Sequence, residues 1–145
     1  MKKLIILLSL LSTFILLSCD ELSPFESGKN LDDLTLEEAA VLINDFVGNA
    51  EADHPSQCST IPIGAKPCGG PWGHLVYSEK VSNKAVLLPL VEHYTKLDSV
   101  RNIEEGRMST CDYATAPELQ IINGACRGDR YAWNPGDIMK FNKLN

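Results

Sequence analysis

Hydrophobic residues recur at helical spacing in the first third of the chain. Thr35 and Glu38 have the spacing of a capping box, in which each side chain accepts a hydrogen bond from the other residue's backbone N–H. Apolar residues follow at every third or fourth position and end at a glycine: Leu36, Ala39, Ala40, Ile43, Phe46, Val47 and Gly48. The pattern predicts an amphipathic helix of about three turns that stops at the glycine.

A second apolar stripe predicts another helix in the middle of the chain. Its members are Val86, Leu87, Leu90, Val91, Tyr94 and Leu97. Ser82 is the candidate N-cap. Pro89 lacks a backbone N–H, so the helix either begins near residues 86 to 88 or bends there. We expect the helix to fray between Val100 and Gly106.

Short β-forming segments bounded by turn residues predict the strands. Cys58 to Ile63 and His74 to Ser78 are the first two. Asn123-Gly124 fits a two-residue hairpin between residues 118–122 and 125–127. Asn134-Pro135-Gly136-Asp137 fits a type II turn that joins residues 130–133 to a strand at 138–141, which would complete a C-terminal antiparallel β-meander. The sequence therefore predicts a small α+β domain, with two helices packed on a short antiparallel sheet.

The N-terminal residues have the features of an export signal. Lys2 and Lys3 precede an apolar run from Leu4 to Leu17, which fits the hydrophobic region of a signal peptide better than a membrane span. The run ends in Leu16-Leu17-Ser18-Cys19, which resembles the lipobox of bacterial lipoproteins. The resemblance implies a signal peptide at residues 1–18 and acyl chains on Cys19. An ordinary signal peptide and a retained anchor helix are the alternatives.

Acylation of Cys19 would hold the protein at a membrane of the bacterial cell envelope, facing the periplasm or the cell surface. Residues 19–34 contain Ser, Pro, Gly, Asn and acidic residues with few large apolar ones. This composition predicts a flexible tether. Residues 35–145 then form a single domain.

The charge balance narrows the range of partners. The chain has 13 Lys and Arg against 19 Asp and Glu, a formal net charge of -6, and loss of Lys2 and Lys3 would leave -8. An acidic protein of this kind is not expected to bind nucleic acid or anionic lipid headgroups. A basic protein partner is permitted.

Four cysteines remain once Cys19 is set aside: Cys58, Cys68, Cys111 and Cys126. An even number in an exported protein predicts two disulfides. A four-cysteine zinc site is the rival interpretation, but the usual C-x-x-C spacing is lacking. Neighbouring and long-range pairings give similar loop-closure entropies, so the pairing stays open. We favour Cys58 with Cys126 and Cys68 with Cys111, because these bonds would tie the glycine-rich loop and the C-terminal strands across the second helix.

Candidate catalytic residues are sparse. His54, His74 and His93 do not share the i, i+4 spacing of a metal-ligand pair on one helix face. We expect three scattered histidines, with His93 on the helix surface. The sequence lacks a G-x-S-x-G elbow and a phosphate-binding loop, and cysteines in disulfides are not nucleophiles. These observations predict a protein without catalytic residues, metal or cofactor.

The glycine- and proline-rich stretch from Lys66 to Ser78 is the strongest candidate for a binding site. Prolines fix φ and glycines permit positive φ, so the loop is expected to have one shape. We predict a surface that recognises an envelope or extracellular protein or a glycan and includes Pro62, Lys66, Pro71, Trp72 and His74.

Aromatic residues near this loop admit two interpretations. Trp72, Tyr77, Tyr131 and Trp133 could form an aromatic recognition surface, since such side chains supply large contact areas at low entropic cost. Alternatively Tyr77 and Trp133 fill the core together with Leu75 and Val76. In that case Trp72 is the one of these four that we expect to be exposed, because it lies inside the glycine- and proline-rich loop.

Four short stretches together resemble a family of small exported bacterial lipoproteins that is itself uncharacterised. They are Lys66-Pro67-Cys68-Gly69-Gly70-Pro71-Trp72, Leu75-Val76-Tyr77-Ser78, Ser109-Thr110-Cys111 and Asn123-Gly124-Ala125-Cys126. The resemblance covers roughly residues 57 to 127 and implies a shared fold and export. That family has an aromatic residue at the position of His74, so it implies no indispensable chemical role for this histidine.

We therefore expect a lipid-anchored, non-catalytic binding module. A structural envelope lipoprotein without a specific ligand is one alternative. A lipoprotein that inhibits lysozymes or proteases is another, because the segment from Cys58 to Cys68 is stiffened by two prolines and could enter a cleft. This last idea is an analogy with small disulfide-bonded envelope proteins.

Overall fold

The described part of a computed structural model covers residues 30–144, in which three α-helices, five strands and two short 3₁₀ helices (Leu31–Asp33 and Pro55–Gln57) form. The predicted signal peptide, Cys19 and most of the predicted tether lie outside this range. Within residues 30–144, none of the helices has the length and apolar character needed to cross a membrane. In chain order the elements are α1 (Leu36–Val47), β1 (Cys58–Ile63), β2 (Gly73–Ser78), α2 (Lys84–Glu104), β3 (Leu119–Ile122), β4 (Ala125–Gly128), β5 (Ala132–Trp133) and α3 (Asp137–Leu144).

The predicted capping box begins helix α1. Thr35 Oγ1 accepts a hydrogen bond from the Glu38 N–H at 3.2 Å, and Glu38 Oε2 accepts one from the Thr35 N–H at 2.9 Å. Gly48, with φ of 52°, ends the helix as predicted. The buried face consists of Leu36, Ala39, Ala40, Ile43 and Val47.

Helix α2 begins at Lys84, one residue later than the predicted Ser82 cap implies and ahead of the alternative start near residues 86 to 88. Asn83 is its N-cap and accepts from the Ala85 N–H, whereas the Ser82 hydroxyl donates to the Phe46 carbonyl at 2.8 Å. The helix continues through Pro89 because Ala85 and Pro89 are both exposed, and water can hydrogen-bond the Ala85 carbonyl that Pro89 leaves unpaired. Regular helix extends to Glu104, so it ends within the interval from Val100 to Gly106 in which fraying was predicted.

Strands β1, β2 and β5 form a mixed sheet with β2 in the centre. The pairing of β1 with β2 is antiparallel and runs from Cys58 opposite Ser78 to Ile63 opposite Gly73. Strand β5 adds to β2 in parallel, with Trp133 opposite Leu75. All six residues of β2 are buried, so both faces of this strand are covered.

The predicted hairpin at Asn123-Gly124 is confirmed as a separate antiparallel pair of β3 and β4. Both turn residues have positive φ, 53° for Asn123 and 74° for Gly124, as a type I′ turn requires. An isolated bridge from Glu51 to Ala125 attaches the hairpin to the segment after α1. The α+β class is confirmed, although the main sheet is mixed rather than antiparallel.

The rest of the predicted β-meander is wrong, because the last segment is helix α3. The turn before it forms as expected, with the Asp137 N–H bonded to the Asn134 carbonyl at 2.9 Å and Gly136 at φ of 88°. The Asp137 carboxylate then accepts from the Asn134 N–H at 3.0 Å, at the start of the helix. Ile138 and Phe141 are three residues apart, a spacing that places both on one helix face.

One hydrophobic core joins these elements. Helix α1 contacts α2, β2 and α3, and α2 contacts β1. Residues at the end of the predicted tether also pack on this core: Leu34 is buried, Leu31 is half-buried, and the Leu34 carbonyl accepts from His93 Nε2 at 3.0 Å. His93 is therefore buried, and its predicted place on the helix surface is wrong.

Candidate functional site

The Gly/Pro loop, defined here as residues 64–72, joins β1 to β2. It folds back on itself, since the Lys66 N–H bonds to the Gly70 carbonyl and the Gly69 N–H to the Lys66 carbonyl, both at 2.8 Å. Gly69 and Gly70 have φ of 95° and 81°, a region that favours glycine. The four residues Pro67 to Gly70 are exposed, and we call them the tip.

The base of the loop is fixed by Asp98, a completely buried carboxylate on α2. Its Oδ2 accepts hydrogen bonds from the Ala65 N–H and from Trp72 Nε1, each at 2.9 Å. One turn earlier on α2, Thr95 Oγ1 accepts from the Gly64 N–H at 3.0 Å. Both ends of the loop are therefore held by α2, through the buried Asp98 and the half-buried Thr95 side chains.

Close packing at the base requires Gly64. A Cβ at this position would lie 2.6 Å from Trp72 Cδ1 and 3.2 Å from Asp98 Oδ2, and the residue has φ of 73°. Both the sterics and the backbone conformation therefore select glycine where the loop crosses Asp98.

Two arginines balance the charge of Asp98. Arg101 Nη2 donates to Asp98 Oδ1 at 2.7 Å, and Arg107 Nη1 lies 3.8 Å from the same oxygen. Each arginine side chain is 13% exposed. Burial, with the nearby Asp98 carboxylate as a second cause, raises the pKa of Tyr94 well above its usual range.

A second ion pair holds the outer part of the loop. Lys66 is 7% exposed, and its ammonium donates to the Asp112 carbonyl at 2.8 Å and lies 3.1 Å from Asp112 Oδ1. The same ammonium is 5.9 Å from the ring centroids of Trp72 and Tyr131, within the range of cation–π attraction. The Tyr131 hydroxyl donates to Asp112 Oδ2 at 2.9 Å.

These contacts favour the ionised form of Asp112. Hydrogen bonds from Thr110, Tyr131 and Lys66, in that order of importance, hold the pKa of Asp112 well below its usual value. The hydrogen bond to Asp112 raises the pKa of Tyr131 in turn. Tyr131 has φ of 61°, which is uncommon for a large residue, and its carbonyl accepts from the His74 N–H at 2.8 Å.

The segment 107–114, which we call the strap, crosses the loop without regular secondary structure. Its attachments include Arg107 to Asp98, Asp112 to Lys66, and the Ala114 carbonyl to His74 Nε2 at 3.1 Å. Between these attachments, Met108 is 93% exposed and Tyr113 is 78% exposed. The strap is thus a fixed segment that presents two large apolar side chains to solvent.

The five residues predicted as a binding surface are not one exposed patch. Lys66 and His74 are buried, Pro71 and Trp72 are half-buried, and Pro62 is exposed. Pro62 borders a shallow groove of about 660 Å³ between β1 and α2, which Ala65 of the loop also lines.

The aromatic residues belong mainly to the core. Tyr77 and Trp133 are buried, which confirms the core interpretation for both. The Trp72 ring lies 5.7 Å from the Phe141 ring, and Phe141 lies 4.5 Å from Trp133. Trp72 therefore connects the loop to α3, and its predicted exposure is only partial.

The histidines take separate structural positions. The exposed His54 ring bonds to Ser56 Oγ at 2.9 Å, whereas His74 and His93 are buried against carbonyl groups. His74 Nδ1 is buried without a hydrogen-bond partner among the described residues. Over the described range, no three His, Cys, Asp or Glu side chains gather in a way that could hold a metal ion.

The favoured pairing of Cys58 with Cys126 is confirmed, with a Cα–Cα distance of 5.5 Å. The predicted second disulfide is not formed in this structure, where Cys68 and Cys111 are free, exposed thiols. They nevertheless lie together: Cys111 hydrogen-bonds to Cys68, and Cys68 Sγ is 3.0 Å from Ser109 Oγ.

Sequence reasoning missed Asp98, Asp112 and the strap. A signal for Asp98 was available, since it follows Tyr94 by four residues and so continues the apolar stripe of α2 on its buried face. A carboxylate in such a position must be paired or hydrogen-bonded. Asp112 gives no comparable signal, because it lies in a segment without periodicity.

No family model, curated protein or solved structure matches this chain.

Proposed function

We propose that this protein is a lipid-anchored bacterial envelope protein that acts without catalysis, by binding another protein through the tip and the strap. The observation that carries the proposal is the exposure of Met108 and Tyr113 on a segment attached to buried charged groups. The contact surface is the tip, Pro67 to Gly70, together with these two side chains.

Preorganisation supports binding by this surface. The loop base is held by Asp98 and the strap by Lys66, so neither element loses much conformational freedom when a partner docks. A flexible surface would have to be ordered during association, which weakens affinity.

The two exposed side chains are of kinds that contribute strongly to protein interfaces. Tyrosine gives a large contact area with few rotatable bonds, and methionine adapts its shape to a partner. Single exposed apolar residues are common, but here two lie within six residues of each other on a fixed segment.

Electrostatics favour a basic partner. Glu104 is exposed just before the strap, and Glu118 is exposed just after it. The formal net charge of -6 has the same sign, so attraction would speed association with a basic surface.

Site-specific photocrosslinking tests the contact surface. A photoreactive phenylalanine analogue at Tyr113 should crosslink to a protein in intact envelopes, whereas the same analogue at Val41, an exposed position on α1, should not. The substitution Met108→Ser should reduce the Tyr113 crosslink while thermal stability stays unchanged. Equal crosslinking from both positions, or none from Tyr113, would contradict the proposal and favour a structural lipoprotein. A crosslinked product that glycan hydrolases shorten, and that contains no peptide of a second protein by mass spectrometry, would make the ligand a glycan.

The anchor is tested separately. Cys19 lies outside the described residues, and the lipobox resemblance supports its acylation. Cys19→Ala should abolish incorporation of labelled fatty acid and release the protein from the membrane fraction. Unchanged labelling in that variant would show that the anchor assignment is wrong, whatever the outcome of the crosslinking.

A further inference from the structure

Two thiols face each other where the tip meets the strap. Cys68 belongs to the exposed tip and Cys111 to the exposed middle of the strap. Cys111 donates a hydrogen bond to Cys68, whose sulfur also lies 3.0 Å from Ser109 Oγ and 3.8 Å from the Ser109 carbonyl oxygen. The two sulfurs therefore lie within hydrogen-bond contact, where the tip meets the strap.

The two thiols differ in reactivity. Hydrogen bonds from Cys111 and Ser109 lower the pKa of Cys68, with a smaller contribution from the Lys66 ammonium. The hydrogen bond to Cys68 raises the pKa of Cys111. Since the thiolate is the reactive form, Cys68 is the better nucleophile and Cys111 the better resolving thiol.

The surroundings of the pair also differ from those of Cys58 and Cys126. Cys126 is completely buried in the core, and its bond joins β1 to β4. Reagents in solution reach the Cys68 and Cys111 thiols directly. The chain thus separates a structural disulfide in the core from an accessible thiol pair at the surface.

We propose that Cys68 and Cys111 form a reversible dithiol–disulfide exchange site, with Cys68 as the attacking residue. The reactant is a disulfide, R–S–S–R′, of a small molecule or a protein. The Cys68 thiolate attacks one of its sulfurs, which forms a mixed disulfide and releases R′S⁻. Cys111 loses its proton to solvent and attacks Cys68 Sγ, which closes the Cys68–Cys111 bond and releases RS⁻. Two electrons pass from the protein to the partner disulfide, which becomes two thiols.

Oxidation at this site would join the tip covalently to the strap, and reduction would restore the hydrogen-bonded contact. The site stands independently of the proposed binding function, because its chemistry needs only a disulfide reactant. It adds a second activity to the surface formed by these two segments.

Redox titration of the full-length protein tests the exchange. The protein is equilibrated with mixtures of reduced and oxidised glutathione, and differential alkylation with peptide mass spectrometry measures each cysteine, Cys19 included. We expect the Cys68–Cys111 bond to form and break across these mixtures while Cys58–Cys126 stays oxidised. Failure of the bond to form, or its reduction only together with Cys58–Cys126 on unfolding, would overturn the proposal.

Single variants test the assigned roles. Cys111→Ser should accumulate a glutathione mixed disulfide on Cys68, since the resolving thiol is absent. Cys68→Ser should react more slowly at Cys111 than Cys111→Ser reacts at Cys68, because Ser109 still lowers the pKa of Cys68, whereas burial and the Asp112 charge still raise that of Cys111. Ser109→Ala should slow the Cys68 reaction, whereas Ser99→Ala, an exposed serine on α2, should not. Equal rates at the two cysteines would refute the assignment of Cys68 as nucleophile.

Discussion

Asp98→Asn is the sharpest test of how the Gly/Pro loop is held. The amide has nearly the shape of the carboxylate, but it carries no charge and has one oxygen instead of two. Asp98 accepts from Ala65, Trp72 and Arg101. One side of the amide must therefore present its NH₂ group to existing donors, and two arginines that are 13% exposed lose their nearest buried anion.

The expected loss in the free energy of unfolding is about 3 to 5 kcal/mol, the range for removing one partner of a buried ion pair. Small domains have only about 5 to 15 kcal/mol in total, so the variant should be close to the limit of stable folding. Urea denaturation followed by tryptophan fluorescence measures the change. Glu92→Gln, an exposed carboxylate on the same helix, is the matched control and should change stability by less than about 0.5 kcal/mol.

Two further variants separate the charge from the hydrogen bonds. Arg101→Gln in the Asp98→Asn background should restore part of the loss, because it removes a largely buried cation that has lost its carboxylate partner. Trp72→Phe deletes the Nε1 donor, and it should cost less in the Asp98→Asn background than in the wild type, because the two side chains share one bond. A loss below about 1 kcal/mol for Asp98→Asn would refute this account of the loop base.

Three other predictions follow from the described contacts. The pKa of Asp112 is depressed in the folded state, so its stabilising effect is complete above the unfolded value of about 3.9 and is lost as pH falls through the folded value. Asp112→Asn should lower the urea midpoint of unfolding at neutral pH, and this midpoint should fall less in the variant than in the wild type as the solution is made acidic. An equal fall in both proteins would contradict this. Gly73→Ala would place a Cβ 2.7 Å from Trp133 Cδ1, and calorimetry should show a loss of about 1 to 3 kcal/mol, whereas wild-type stability would mean that β5 does not pack as described. Replacing Cys58 and Cys126 by serine removes a disulfide between residues 68 positions apart, and it should lower the free energy of unfolding in urea by about 4 kcal/mol. A loss near zero would show that the unfolded chain is already restricted without the disulfide.

The elements predicted well are those with local chemical signals. The capping box at Thr35, the glycine after Val47 and the Asn123-Gly124 turn each act within a few residues, and each forms as expected. Strand β1 has the predicted bounds for a related reason: β-branched residues end at a glycine with positive φ. Such signals depend on backbone preferences that the rest of the fold does not need to supply.

The errors come from choices that distant residues decide. Ile138 and Phe141 fit either a strand or a short helix, and contact with α1 selects the helix. The parallel pairing of β5 with β2 joins residues more than 50 positions apart, so no turn signal can indicate it. Asn83 rather than Ser82 caps α2, because the Ser82 hydroxyl is used by the Phe46 carbonyl. In each case, contacts between distant parts of the chain decide the structure against the local preference of the sequence.

In the Gly/Pro loop and the strap, the residues that hold the structure are not the residues that can contact a partner. This difference determines which variants can report on binding. Trp72 bonds to a buried carboxylate and packs on Phe141, so its truncation would release the base of the loop and displace the tip as well. Loss of partner capture in such a variant would therefore not identify a contact residue. Met108 and Tyr113 lie between the attachments of the strap and expose most of their surface, so their substitution changes contact area while the attachments persist. A test of function at this site should therefore vary these two residues and use Trp72 only as a control for loop structure.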